Sequence, residues 1–198
     1  MRSVRPLFAV AALVSLAEAP AWCREVQAAA PAEENEVAVT GTYRNPMYAY
    51  SMQVPAGLRG HRMKAPAPNH GIDVKAPGNE TDTLWVDGSF DAAGCGSAEA
   101  CAKRTAGFYK GEYGLRQVAI SRCVLSGLDA RKVVFAPRGR PAPGRINYVT
   151  FIVAFRQMGD DITPIIYAVG VLASTRDSAV LKAFPVVVGS LRILPWSK

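Results

Sequence analysis

Apolar and polar residues alternate with a period of two along much of this chain, and stripes at helical spacing interrupt the alternation twice. Ala38 to Thr42 and Ala49 to Val54 predict a first hairpin, joined by the turn chemistry of Arg44-Asn45-Pro46. Gly71 to Ala76 and Thr81 to Asp87 predict a second, around Pro77-Gly78-Asn79. Leu115 to Leu125 and Ala130 to Ala136 follow as strands about Gly127-Leu128-Asp129. The strongest signal is Ile146 to Met158 and Ile162 to Ala173, joined by Gly159-Asp160-Asp161. Val149, Phe151, Val153 and Phe155 fall on one face, and Ile146, Tyr148 and Ile152 supply much of the other. Strands apolar on both faces must be covered on both, so the pattern predicts a sandwich. The paired acids Asp160-Asp161 sit at a hairpin tip and read as turn formers.

The two helical stripes lie between and after these strands. Ser97 is the expected N-cap of a helix running to about Lys110, with Cys101, Thr105 and Phe108 on one face and Gly111 and Gly114 ending it. A second helix is expected from near Ser174, where Ser174-Thr175-Arg176-Asp177 has capping-box spacing. Its stripe is Val180, Leu181, Phe184, Val187 and Val188. Pro185 lies within it, so the helix either kinks there or ends its regular part at Phe184. Leu191 to Leu194 is expected as a short terminal strand or extended tail.

One apolar run fits neither period. Leu7 to Leu16 follows Arg2 and Arg5, precedes small residues and has no acid before Glu18, which is the pattern of a secretory signal peptide. Ten apolar residues are about half the length of a membrane span. Residues 1–21 are therefore expected to direct export and be removed, with Ser15-Leu16-Ala17 and Ala19-Pro20-Ala21 both fitting a cleavage pattern. Cys23 follows Trp22, where a lipid-anchor signal needs a small residue. Residues 22–37, with Glu33-Glu34-Asn35-Glu36 and no apolar period, are expected as a flexible tail. Residues 38–196 have no linker-like stretch and no internal repeat, and are expected to form a single α+β domain.

The short motifs at the two ends of that domain carry a resemblance. Tyr43-Arg44-Asn45 followed by Tyr50-Ser51-Met52-Gln53-Val54-Pro55 is similar to the opening of PsbP-like domains, and Phe184 through Val188-Gly189-Ser190-Leu191-Arg192-Ile193 resembles their closing helix and strand. The resemblance implies an antiparallel β-sheet flanked by helices, an α/β/α sandwich. It also implies binding or scaffolding of another macromolecule. Members of that group share no catalytic centre, so no functional residue carries over.

Charge and cysteine usage refine the picture. With 23 Lys and Arg against 16 Asp and Glu, the net charge is +7. Cleavage after Ala21 removes two arginines and one glutamate and leaves +6. A basic surface favours anionic partners, such as acidic proteins or envelope polyanions, and export argues against nucleic acid. Of four cysteines, Cys23 lies outside the domain. Cys95 and Cys101 flank a short loop at a helix start and are favoured as a disulfide over Cys101 with Cys123. No histidine stands at zinc-ligand spacing from a cysteine pair, and no cofactor or phosphate-cradling motif is present in the sequence.

Two loops hold the candidate binding residues. The stretch from His61 to Gly71 concentrates proline, cations and both histidines, and contributes His61, Arg62, Asn69 and His70. The stretch Pro137 to Arg145 carries Arg138, Arg140 and Arg145 among three prolines and two glycines, a composition that excludes a helix or central strand. The expected function is binding to an envelope or extracellular macromolecule, for example as an inhibitor or immunity protein. The alternative is an extracytoplasmic hydrolase in which His70 and Asp73 orient a nucleophile such as Ser89.

Overall fold

The computed structural model describes residues 38–62, 70–92, 94–159 and 162–196. The expected signal peptide and tail, Asn69 and the Asp160-Asp161 pair lie outside the described residues. The strands are β1 (Gly41–Asn45), β2 (Tyr50–Val54), β3 (Arg59–Arg62), β4 (Gly71–Lys75) and β5 (Thr83–Phe90). After helix α1 (Ala98–Tyr113) come β6 (Arg116–Leu125), β7 (Leu128–Ala136), β8 (Tyr148–Arg156) and β9 (Ile165–Ala173). Helix α2 (Ala179–Ser190) and β10 (Arg192–Ile193) follow. One antiparallel sheet has the order β3-β4-β5-β9-β8-β7-β6, and a small one has β1-β2-β10.

The two faces of the large sheet are covered by different elements, as the doubly apolar β8 and β9 require. On one face α1 packs Cys101, Ala102, Ala106 and Tyr109 against Val133, Phe135, Val149, Phe151 and Val153. On the other, α2 and the small sheet bring Tyr43, Tyr50, Met52, Val180, Phe184 and Val187 onto Ile72, Leu84, Val86, Ile152 and Val169. The result is an α+β sandwich. Helix α1 contacts β6, β7 and β8 but leaves the β4-β5 side of its face open.

Several boundaries differ from the expected ones, each for a local reason. The stretch after Leu58 is not all loop: His61 and Arg62 belong to β3, paired with Asp73 and Ile72. Gly60 gave no apolar signal there because Ile72 fills the space over it, where a Cβ would stand 2.5 Å from Ile72 Cδ1. Ser97 caps α1 as expected, its Oγ accepting the Ala100 N–H at 3.2 Å. The helix runs through Gly111, however, and stops at Gly114, whose φ is +62°. Its buried stripe uses the small residues Ala98, Ala102 and Ala106, which let it sit close to the sheet and turn Phe108 outward, 62% exposed.

Helix α2 begins at Ala179, five residues after the expected capping box, because Ser174 is held by the buried Asp82, whose Oδ1 accepts the Ser174 N–H at 2.7 Å. Pro185 neither ends nor caps the helix, which continues to Ser190. The proline side chain is exposed, on the solvent side of the helix.

Candidate functional site

The uncovered half of the α1 face forms an open cleft of about 460 Å³. Strand alternation builds its floor. Leu84 and Val86 of β5 point to the α2 core, so Thr83, Trp85, Asp87 and Ser89 point the other way. In β4, Ile72 and Val74 are buried in that core and Asp73 faces the cleft. Asp73, Trp85 and Gly170 are in register across β4, β5 and β9. Helix α1 supplies the wall with Phe108, Tyr109 and Tyr113, and Leu172 completes the lining.

The wall is fixed by ring contacts. Tyr109 packs on the core ring of Phe151 at 5.4 Å and stacks on Tyr113 at 6.0 Å with an interplanar angle of 18°. Burial pushes the Tyr109 pKa up to about 12, against a smaller opposing effect of the neighbouring Trp85 indole, so the phenol is neutral across the physiological range.

The two carboxylates of the cleft are poorly compensated. Burial raises the Asp73 pKa above its ordinary value, opposed at a distance by Lys75 and His61. The Lys75 ammonium is taken by Glu80 at 2.9 Å. Burial likewise raises Asp87, with His70 and the Ser89 hydroxyl acting against it and Asp73 adding to it.

The expected site residues fall around this cleft. His61 stands in register beside Asp73, at the edge strand. His70 packs on Tyr48 at 5.2 Å, and its Nδ1 is 3.7 Å from Asp87 Oδ1. Its carbonyl accepts from the Tyr50 hydroxyl at 3.0 Å, from Asn45 Nδ2 at 3.2 Å and from the Gly88 N–H. The hydrolase arrangement expected from sequence differs: the carboxylate beside His70 is Asp87 instead of Asp73. The Ser89 hydroxyl acts on that same carboxylate, opposing the rise of its pKa. A nucleophile triad needs the histidine between hydroxyl and carboxylate, and here the carboxylate lies between the other two.

Arg138, Arg140 and Arg145 are exposed on a loop that is tied down at both ends. Arg138 Nε donates to the Gly114 carbonyl at 3.1 Å, which pins the loop to the end of α1. The buried Asn147 accepts the Ala142 N–H and donates to the carbonyls of Ala142, Arg145 and Ser174. Tyr113 lines both the hollow under this loop and the acidic cleft, so a basic rim adjoins an acidic floor.

Cys95 and Cys101 meet at the entrance to α1. Their sulfurs and an Asp91 oxygen lie within 4.8 Å of one another, with both thiols free. Burial pushes the Cys101 thiol up, and its neighbour Cys95 adds to the effect. The Asp91 oxygens accept the N–H groups of Cys95 at 2.9 Å and Gly96 at 3.0 Å. That carboxylate is therefore already used in shaping the loop.

No protein-family model matches the chain, and no curated protein does. Solved structures do share its fold. The chain is similar to cyanobacterial PsbP (CyanoP) from Synechocystis sp. PCC 6803, at 13% identity and a TM-score of 0.53, over 79% of this chain and 95% of that one. It is equally similar to LpqN, described as involved in cell envelope biogenesis of Mycobacterium tuberculosis. That match has 16% identity and a TM-score of 0.53, over 81% of this chain and 91% of that one. The fold is PsbP-like, as the terminal motifs imply. Among the described residues, no helix is long and apolar enough to cross a membrane.

The cleft escaped sequence reading because Asp73, Thr83 and Asp87 look like ordinary solvent-facing positions of amphipathic strands. Trp85 was the available signal: it is a large aromatic on the polar face of its strand, between Thr83 and Asp87.

Proposed function

We propose that this chain is an exported, envelope-associated binding protein that docks a macromolecular partner in the cleft between α1 and β4, β5 and β9. The observation that carries the reading is the aromatic wall and floor of Trp85, Phe108, Tyr109 and Tyr113 left open beside a packed core. Open aromatic surface with a few oriented polar groups is the composition of a binding site. The signal-peptide pattern and the envelope role given for LpqN support the address. The arginines at 138, 140 and 145 form the rim on the Tyr113 side, where they act on acidic groups of the same partner. His61 and His70 border the opposite end.

The test is capture from envelope extract by the immobilised mature protein and by a Trp85→Ala/Phe108→Ala variant. Loss of the captured partner with an unchanged fold, checked by circular dichroism, is the expected result. Equal capture by both proteins would move the docking site away from the cleft.

A further inference from the structure

The cleft is acidic in a protein whose net charge is +7, and this inversion identifies the chemistry of what enters it. Asp73 and Asp87 are the only ionisable carboxylates lining it among the described residues, and both stand beside rings, with Trp85 between them on the floor and Tyr109 and Tyr113 on the wall. Asp73 makes no ion pair within 4.0 Å among the described residues, and the nearest ammonium on its own strand, Lys75, is bound to Glu80. Asp87 faces His70, at 3.7 Å, and the Ser89 hydroxyl, and among the described residues no lysine or arginine pairs with it within 4.0 Å. Electron-rich ring faces and underpaired carboxylates attract the same class of group, an organic cation, and the ring faces are most effective where water is partly excluded.

Resting on the docking proposal above, we infer that the cleft accepts an arginine or lysine side chain of a polypeptide partner, its cationic head held between Asp73 and Asp87 and its stem laid along Trp85 and Tyr109. The cleft is open along one side, with Phe108 largely exposed at its lip, so it suits a side chain projecting from a larger chain. An acidic segment is repelled from this floor and has the arginine rim as its counterpart. The partner's face therefore carries a basic residue beside acidic ones, complementary to floor and rim together.

The experiment uses the ¹⁵N-labelled mature chain and three blocked octapeptides, alternating glycine with arginine, with citrulline or with glutamate. Citrulline keeps the shape of arginine and removes the charge. The indole N–H resonance of Trp85, assigned with Trp85→Phe, is followed by titration at neutral pH.

The arginine peptide is expected to shift this resonance, and the citrulline peptide to bind about tenfold more weakly or less. Asp73→Asn and Asp87→Asn, isosteric changes whose folded state is read from the same spectra, are each expected to weaken the arginine peptide by a similar factor. Equal binding of arginine and citrulline peptides, or full binding by both Asn variants, overturns the cation proposal. If the envelope partner is nevertheless lost on Trp85→Ala/Phe108→Ala, the docking site stands and only its chemistry is wrong.

Discussion

The Trp85 indole lies against the backbone of Gly170 on the neighbouring strand, so closely that a Cβ at residue 170 would stand 2.5 Å from Cζ2 and 2.6 Å from Cε2. Gly170 has no turn to make. It sits in the interior of β9, where glycine ordinarily weakens a strand, and its use is to give the ring a place to rest. From there the indole and Tyr109 line the same cleft, as floor and wall.

Gly170→Ala is expected to displace the indole and to destabilise the protein by about 1–3 kcal/mol. In a Trp85→Ala background the same change should be neutral or stabilising, since alanine suits a strand better than glycine does. A double-mutant cycle by chemical denaturation measures the coupling. Additive effects would show that ring and glycine are independent.

Phe151 is fully buried, packed between Tyr109 at 5.4 Å and Phe135 at 6.3 Å. Phe151→Ala should cost about 3–5 kcal/mol in equilibrium unfolding and loosen the wall through Tyr109. A loss below about 1 kcal/mol would mean that α1 does not seal this face.

The cleft carboxyls give stability an inverted pH dependence. Asp73 and Asp87 have folded pKa values raised by burial, so between their ordinary and raised values the folded state binds more protons than the unfolded one. Their contribution to stability therefore falls as pH rises through that window and stays unfavourable above it. The groups facing them are His61 and Lys75 for Asp73, and His70 and Ser89 for Asp87, while Tyr109 on α1 stays neutral. Asp73→Asn and Asp87→Asn should each raise the melting temperature at neutral pH, and lose that advantage in mild acid. Asp91 acts in the opposite sense: burial opposes its ionisation, yet the N–H groups of Gly96 and Cys95 hold its pKa low. Its stabilisation is present at neutral pH and disappears as pH drops below the ordinary carboxylate range. Lower stability of both Asn variants at neutral pH would contradict this assignment.

Cys95 and Cys101 are placed to form a disulfide in an oxidising compartment. Peptide mapping of the mature protein, recovered from the envelope and alkylated without reduction, should link them, and the bond should contribute on the order of 2 kcal/mol. A Cys101–Cys123 peptide would refute the pairing. Both thiols recovered alkylated would do so too.

Reversal of Arg138, Arg140 and Arg145 to Glu should change stability by less than about 1 kcal/mol, because all three side chains are exposed and the one bond lost, from Arg138 to the Gly114 carbonyl, is itself exposed to water. It should also slow association with the captured partner and remove most of the salt dependence of the rate. Equal association rates at low ionic strength would reduce the loop to a connection between β7 and β8.

Much of this protein was determined by the sequence alone, because it depends on neighbours a few residues apart. The period-two runs placed β4 to β9, the doubly apolar β8 and β9 required cover on both faces, and Ser97 marked the start of α1. Tertiary structure decided the remainder. Nothing local tells that alanines let α1 settle over β6 to β8 and turn Phe108 outward, leaving the β4-β5 half of its face open. Nor does local spacing pair His70 with Asp87, seventeen positions away, in preference to Asp73, since strand register makes that choice. A four-residue strand such as β3, with one glycine and three polar side chains, has too few apolar positions to show a period, and it forms because β4 offers it an edge. Periodicity reports which face of an element is buried. Which uncovered faces meet to make a site depends on how far each covering element reaches across the sheet, and that is settled only when the whole core packs.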